Sequence, residues 1–593
     1  MDGQARRNTG RRSRRKMLTY GLACATVGAA LTGQAVAQSP LQSPGAAVPQ
    51  VSPLGHILPP STPKLGAGLP NFQPVGPAAA MPNETVSINA VTIIGVTAFP
   101  AAKLAPITAG LTGSAVSLAR IDAARRALLN LYRNHGYVLT AVSAEINKAG
   151  ELRFIVTEGR IVSVKLSRNI GPAGALILGF LNHLTHERPV REALLEHWLL
   201  LAEQTPGIDV HAVLEPNAAA PGALTLVAEV SHKQVGGLLT VDNRAFRDTG
   251  PIEALGVFDL NSLTRFGDQT QLSLFHTSHG TDNFGQFTES FFVGTDGVRV
   301  SIYGGSGRAQ PTGPLALIGY HSFITLFGAS ASYPLLLRRG EALTGLVKFD
   351  ASNNVIDTQG SLASDDAVRA VRAELDYDIA DNALANRSAL TSMQVVFSKG
   401  LPFLGASADR RSAPPSGRLG ERIDFWKIDA SFSRMQTLFS PWAGASVDLH
   451  AAVGGQFTTD VLPTSEEFYL GGSQFTRGYY SGQVTGDKAI YATAELDLNT
   501  GINFHVFGRR VETGAQFYGF YDYGENFQND QIAGQVSANH RLASFGGGVR
   551  LGLTRYLELD VEGVHRLVTQ LVPVGAGQPL SETAIYWAVT ARY

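Results

Sequence analysis

Residues 371–378 read Val371-Arg372-Ala373-Glu374-Leu375-Asp376-Tyr377-Asp378, and their alternation decides the fold. Successive side chains of a strand point to opposite faces. Val371, Ala373, Leu375 and Tyr377 therefore share one face, and Arg372, Glu374, Asp376 and Asp378 the other. The same period of two recurs in 557–562, where Leu557, Leu559 and Val561 alternate with Glu558, Asp560 and Glu562. It recurs again in 492–498, where Ala492, Ala494, Leu496 and Leu498 alternate with Thr493, Glu495 and Asp497. From Val235 to Tyr593 this pattern replaces any helical period.

A soluble sandwich also alternates, but its polar face meets solvent. In a long, glycine-rich chain destined for export, a membrane barrel with a charged lumen fits better. Residues 235–593 number 359. Sixteen antiparallel strands would each have about 22 residues including a connection, a workable allotment for such a barrel. Closure is what lets strands cross lipid with every backbone group paired. The last strand supports this. Ile585, Trp587, Val589, Ala591 and Tyr593 lie on one face, and the aromatic Tyr593 resembles the C-terminal signal read by outer-membrane barrel assembly, where Phe is commoner.

Export is written at the other end of the 593-residue chain. Arg6, Arg7, Arg11, Arg12, Arg14, Arg15 and Lys16 precede an apolar stretch from Met17 to about Leu31, and Ala35-Val36-Ala37 supplies small residues for cleavage before Gln38. Residues 1–37 thus read as a secretory signal peptide. Two other patterns compete there. Gly21-Leu22-Ala23-Cys24 looks like a lipoprotein site but has Gly where Leu is usual. Ser13-Arg14-Arg15-Lys16-Met17-Leu18 resembles a twin-arginine signal, which serves proteins exported already folded, whereas a membrane barrel must reach its membrane unfolded.

Removing that segment takes seven of the 48 basic and one of the 49 acidic residues, leaving 41 against 48, a net charge of −7. No nucleic-acid partner is expected, since phosphate binding needs a basic surface. The single cysteine, Cys24, leaves with the segment. Disulfides, cysteine-rich metal sites and thiol catalysis are thereby excluded.

Residues 38–83 hold eleven prolines, and no proline-free window there exceeds six residues. An extended, semi-rigid linker without helix is expected, with a proline-rich recognition tract as the alternative.

Between linker and barrel, one small pattern occurs twice. The first copy, 84–160, has a strand-like run through Val86, Ile88, Val91, Ile93 and Ile94, and a short helical stretch near 101–111. An amphipathic helix follows over 118–135, closed by Gly136, and then strands over 138–146 and 152–157. The second copy, 161–234, repeats the order with a strand at 161–166, helices at 174–184 and 190–203, and strands at 210–214 and 224–230. A three-stranded sheet with both helices on one face leaves an edge strand open, and open edges take up extended peptide by strand addition. Two structural modules without ligands are the alternative.

Particular residues in these copies resemble a known family. Tyr132-Arg133-Asn134-His135-Gly136-Tyr137-Val138 and Thr157-Glu158-Gly159-Arg160-Ile161 look like the helix end and boundary of a POTRA (polypeptide-transport-associated) domain. Pro206-Gly207-Ile208 and Pro221-Gly222 resemble the second POTRA domain of two-partner secretion transporters, the TpsB or haemolysin secretion/activation family. In the barrel, Val241-Asp242-Asn243 with Thr249-Gly250 and Gly267-Asp268 looks like that family's first hairpin. Gly471-Gly472-Ser473-Gln474-Phe475-Thr476-Arg477-Gly478-Tyr479 resembles the tip of its sixth extracellular loop, with Thr476 in place of the usual Val. Phe520-Tyr521-Asp522-Tyr523-Gly524 matches the Phe-x-Asp-x-Gly motif of its thirteenth strand.

Phe520 and Asp522 share a face with Gln516 and Tyr518, opposite Phe517, Tyr521 and Tyr523, so Asp522 points into the lumen if the more apolar face meets lipid. A buried carboxylate needs a partner. The resemblance implies that the loop folds inward and pairs Arg477 with Asp522, making Arg477, Gly478, Tyr479, Phe520, Asp522 and Gly524 the functional set. The alternative leaves Arg477 as a solvated loop residue. Some family members plug the barrel with an N-terminal helix, and residues 38–83 depart from that pattern.

Other candidates carry no chemistry. His183 and His186, three apart, lack the His-Glu-x-x-His spacing and a third ligand. Gly546-Gly547-Gly548 lacks a surrounding βαβ unit and gives room for a bend or a luminal loop. No hydrolytic constellation stands out, and no catalytic, cofactor-binding or metal residue is expected.

The resemblance implies a pore in the bacterial outer membrane with its POTRA domains in the periplasm. They would bind an unfolded exoprotein (an adhesin, haemolysin or contact toxin), which then crosses the lumen extended, driven by its folding outside. A barrel-insertion factor of the same superfamily is the alternative, though such factors usually carry more POTRA modules. A diffusion porin would need none. Outer-membrane lipid and the barrel-assembly machinery are the other partners implied.

Overall fold

The computed structural model describes residues 54, 84–407, 418, 420–506, 509–529, 539–569 and 580–593. The expected signal peptide, 1–37, and all of the expected linker 38–83 except Leu54 lie outside them.

The first module runs β1 (Thr85–Ile88), β2 (Ala90–Ile94), α1 (Ala101–Thr108), β3 (Gly113–Ser117), α2 (Leu118–Asn134), β4 (Ala141–Ile146) and β5 (Glu151–Thr157). Its sheet has the order β2-β5-β4, with β2 parallel and β4 antiparallel to β5. Alternation in β5 turns Leu152, Phe154 and Val156 inward, where they meet Ile121, Ala124, Leu128 and Tyr132 from one face of α2. Ser117 caps α2, its hydroxyl accepting from the Arg120 amide, and Gly136 follows the helix at φ +81°. Two details differ from the sequence reading. Residues 137–140 turn instead of starting the strand, the Thr140 amide donating to the Tyr137 carbonyl. The short β3, pairing β1, was not foreseen, because Gly113-Ser114-Ala115 carries no apolar alternation.

The second module repeats the order with β6 (Arg160–Leu166), α3 (Gly174–Asn182), α4 (Glu192–Glu203), β7 (Ile208–Pro216) and β8 (Ala223–His232), in sheet order β6-β8-β7. The modules are joined tightly. The Val190 amide donates to the Gly159 carbonyl, the Glu192 amide to the Gly136 carbonyl, and Arg191 Nε to the Tyr137 hydroxyl at 3.3 Å.

Sixteen strands close the barrel. They are β9 (Val235–Asp242), β10 (Glu253–Asn261), β11 (Gln269–Thr277), β12 (Asp282–Val293), β13 (Val298–Ala309) and β14 (His321–Arg338). Next come β15 (Glu341–Thr358), β16 (Ser361–Asp381), β17 (Ala389–Gly400), β18 (Trp426–Phe439) and β19 (Ser446–Phe457). After a long loop holding the short pair β20 (Phe468–Leu470) and β21 (Val484–Gly486), the wall continues with β22 (Lys488–Val506) and β23 (Arg509–Phe527). It ends with β24 (His540–Thr554), β25 (Leu557–Arg566) and β26 (Thr583–Arg592). All neighbours are antiparallel, and β26 pairs with β9 to close the ring. Among the described residues no helix is long and apolar enough to cross a membrane.

The alternation places each face as read. Val371, Leu375, Leu496, Phe517, Tyr521 and Val561 lie exposed on the outer face, whereas Glu495, Asp497, Asp522 and Glu562 are buried in the lumen. The second module is seated on the wall's near end. Phe292 and Leu337 from the barrel join its core, and Ser262 Oγ donates to the Pro206 carbonyl at 2.6 Å. His183 is used here as a packing residue. Its ring stacks on Trp198 at 4.0 Å, and its Nε2 lies 3.1 Å from Thr295 Oγ1.

The helix-free expectation for 38–83 is corrected at one position. Leu54 is helical and 5% exposed, packed on Leu255, Val257, Phe275 and Phe284. Leu255 pairs Phe275, which in turn pairs Phe284, so these side chains form an apolar row on the inner face. Proline is tolerated in a helix's first turn, so proline spacing by itself does not exclude a helical residue.

Candidate functional site

The 458–487 loop between the eleventh and twelfth barrel strands, β19 and β22, turns inward. Its tip is a reverse turn in which the Tyr479 amide donates to the Thr476 carbonyl at 3.1 Å, leaving Arg477 and Gly478 at the corner. Thr476 sits at φ +57°, a strained value for a β-branched residue. Phe475, just before, packs on Tyr491 of β22 with ring centroids 4.5 Å apart.

Arg477 is clasped by Asp522 of β23, the thirteenth strand. Its amide and Nε both donate to Asp522 Oδ2, at 2.8 and 3.0 Å, and Nη2 donates to Oδ1 at 3.0 Å. Thr493 Oγ1 accepts from Nη2 and donates to Asp522 Oδ1. Nη1 pairs with Glu495. Below the plane of the guanidinium lies the Phe520 ring, 3.7 Å from Cζ. Asp522 is 1% exposed. The fork geometry of Arg satisfies both carboxylate oxygens at once, which a Lys could not do.

The strand register explains why these side chains converge. Thr493 lies directly across from Asp522, and Glu495 across from Phe520. On the other side Tyr518, Phe520 and Asp522 face Gly548, Gly546 and Ser544 of β24. A Cβ at Gly546 would lie 2.9 Å from Phe520 Cζ, and one at Gly548 would lie 2.6 Å from the Tyr518 hydroxyl. The glycine run therefore makes room for two luminal rings.

Gly478 lies as close to the wall. A Cβ there would come within 2.6 Å of Ser544 Cβ and 2.9 Å of Val564 Cγ1. Its carbonyl accepts from Arg566 Nε and from the Tyr586 hydroxyl. Tyr479 is wholly buried, its hydroxyl 2.8 and 2.9 Å from the Ala543 and Val568 carbonyls, which share its one proton. Gly524 faces the loop, where an added Cβ would meet Thr476 Cγ2 at 2.9 Å.

Residues unmarked in the sequence complete the network. Arg550 pairs with Glu495 at 2.7 Å and stacks over Tyr518 at 3.8 Å. The Tyr518 hydroxyl lies between Asp560 Oδ1 (2.8 Å) and Glu562 Oε2 (3.0 Å), which share its one proton, and Arg244 bridges Glu562 (2.7 Å) and the Arg477 carbonyl (2.8 Å). Glu495, Asp560 and Glu562 were visible on the polar faces of alternating strands, but only inter-strand register tells which carboxylates meet which cation.

Tyr593 is apart from this cluster. At the seam its amide donates to the Gly237 carbonyl at 2.9 Å, the Gly237 amide returns a bond at 3.3 Å, and Lys233 lies over its ring.

Comparisons agree with this architecture. The family described as haemolysin secretion/activation protein ShlB/FhaC/HecB matches residues 343–551, which include loop and motif strand, and the ShlB-type POTRA domain matches residues 86–159. The heme/hemopexin transporter protein HuxB of Haemophilus influenzae (strain 86-028NP) is 20% identical over 452 residues, 75% of this chain and 77% of its own. The outer membrane transporter CdiB of Dickeya dadantii (strain 3937) is 20% identical over 410 residues, 66% and 68% of the two chains. CdiB from Escherichia coli shares the fold, with a TM-score of 0.67 at 15% identity over 88% of this chain and 93% of that one. The barrel is accordingly an outer-membrane one, with the POTRA modules on its periplasmic side. The chain thus carries a domain of the haemolysin secretion/activation protein family ShlB/FhaC/HecB and a ShlB-type POTRA domain, and is similar to the transporters HuxB and CdiB.

Proposed function

We propose that this chain is a non-catalytic pore that secretes one or a few large partner exoproteins across the outer membrane. The observation that carries this reading is the clasp of Arg477 by Asp522 inside a barrel that also bears two modules with open sheet edges. An adhesin, haemolysin or contact toxin, still unfolded, adds a strand to a module edge, chiefly on the first module. It then passes the lumen as the inward loop yields, and folding outside prevents its return.

Five segments divide this work: 1–37 for export, 38–83 as linker, 84–160 and 161–234 as the two POTRA domains, and 235–593 as the barrel. Arg477, Gly478, Tyr479, Phe520, Asp522 and Gly524 hold the loop, and Tyr593 serves recognition by the barrel-assembly machinery. Lipid of the outer membrane contacts the apolar outer face.

Photo-crosslinking in living cells tests this. A photoreactive residue at Ser143, exposed on the β4 edge, is expected to trap one large exported protein. Adducts with many different barrel precursors would instead mark an insertion factor.

A further inference from the structure

We infer that Glu466 is a second latch on the inward loop, held by Arg372 and Lys427, and that the barrel opens only when this latch and the Arg477 clasp are both released. This rests on the reading of the barrel as a translocation pore only for its biological consequence, since the latch itself is tested without cargo.

The loop enters the lumen with its shoulder at Glu466, eleven residues before Arg477. The Glu466 carboxylate receives Arg372 Nη2 at 2.6 Å and Nη1 at 3.1 Å, a bidentate pair, and Lys427 Nζ at 3.1 Å. The Glu466 carbonyl accepts from the same Lys427 at 2.9 Å and from Gln456 Nε2 at 3.2 Å. Arg372 is in turn fixed by Asp350, which receives its Nε at 2.8 Å and also binds Lys348 at 3.1 Å. The Tyr303 hydroxyl donates to that Asp350 as well. A chain of polar contacts thus runs from β13 through β15, β16 and β18 to β19, and ends on one loop carboxylate.

Three features set this apart from general stabilisation of a folded loop. Glu466 is 5% exposed, so its charge is compensated by these partners and not by water. The latch is remote from the first. Arg372 and Lys427 stand on the eighth and tenth barrel strands, and the Arg477 partners on the twelfth and thirteenth. Between the two, the loop touches the wall through aromatic packing, Phe468 and Phe475 on Tyr491. Such contacts are non-directional and fix no single position. Among the described residues, the loop's other ion pairs, Glu467 and Asp487 with Arg418 and Asp460 with Arg422, are to the segment between β17 and β18, so Glu466 and Arg477 are the ionic contacts that tie it to the barrel strands, and releasing the tip alone leaves its shoulder tied across the lumen.

Single-channel recording of the purified full chain in planar bilayers, with no cargo present, tests the inference. Glu466→Gln and Arg372→Gln are each expected to raise the open fraction about tenfold, the order of a typical coupling between two states. The double variant should open no further than Glu466→Gln alone, because both remove one bond. Combining Glu466→Gln with Asp522→Asn should multiply their effects. Heat-modifiable migration on gels certifies a folded barrel, and Lys427→Gln, which removes one of two cations, substitutes for any variant that does not fold. An open fraction within about twofold of wild type for folded Glu466→Gln or Lys427→Gln overturns the proposal. So does a combination with Asp522→Asn that opens no further than Asp522→Asn alone.

Discussion

Arg477 and Asp522 stand 45 residues apart in the chain and meet through three hydrogen bonds, one from the Arg477 backbone and two from its guanidinium. The backbone contribution fixes the turn, and the side-chain contribution fixes the charge. Both end on one carboxylate that water barely reaches.

Asp522→Ala should therefore cost more than Arg477→Lys. The first leaves Arg477 with Glu495 as its one remaining carboxylate and frees the turn amide, a loss of about 3–5 kcal/mol in loop docking when a buried pair is broken. Limited proteolysis of intact cells should cut the loop faster in Asp522→Ala, and secretion should fall. Equal cutting of wild type and variant would mean that the clasp does not hold the loop.

Gly478→Val puts carbon where Ser544 and Val564 already stand. Overpacking of this kind costs about 1–3 kcal/mol. The expected phenotype is a correctly assembled barrel with impaired export, read as normal outer-membrane abundance and reduced exoprotein in the medium. Gly546→Leu should do the same by displacing the Phe520 ring from beneath Arg477.

The first POTRA module should be acid-sensitive through Glu158. Burial alone would raise its carboxyl, but Thr97, Tyr132 and the amides of Thr97 and Ala98 all donate to it and together hold it below the usual range. A group lowered on folding contributes stability above its unfolded value, about 4.3 for Glu. That contribution is lost as pH falls through the folded value. Amide hydrogen exchange in the full chain should show protection of β5 and α2 falling at acid pH. Glu158→Gln should be less protected at neutral pH, by about 1 kcal/mol, and show a flatter pH profile. An unchanged profile would exclude Glu158 as the cause.

Removal of Tyr593 takes away two backbone bonds at the seam and the ring under Lys233. Barrel abundance in the outer membrane should drop, while transcript and precursor remain. Normal abundance would leave Tyr593 without a part in assembly.

Much of this was legible before any coordinates. Period-two alternation in 371–378 gave the inner and outer faces, because a strand offers only two. The repeated α+β order and the motifs around Arg477 and Asp522 pointed to the loop and its strand. Strand pairing was not legible. Glu466 sits in an ordinary Thr-Ser-Glu-Glu stretch, and Arg372 is one of many charges on polar faces; they meet only because the loop folds back across the wall. Leu54 was hidden differently, since its partners Leu255, Phe275 and Phe284 are apolar residues on an inner face expected to be polar. β3 escaped because three positions of backbone pairing need no side-chain signature.

The most direct measurement is to delete the gene and compare the cell-surface and supernatant proteomes with those of the parent strain. A dedicated secretion pore predicts the loss of one or a few large exported proteins, restored by the wild-type chain, with other outer-membrane barrels at normal levels. A broad fall in those barrels, with no single exported protein lost, would contradict the account.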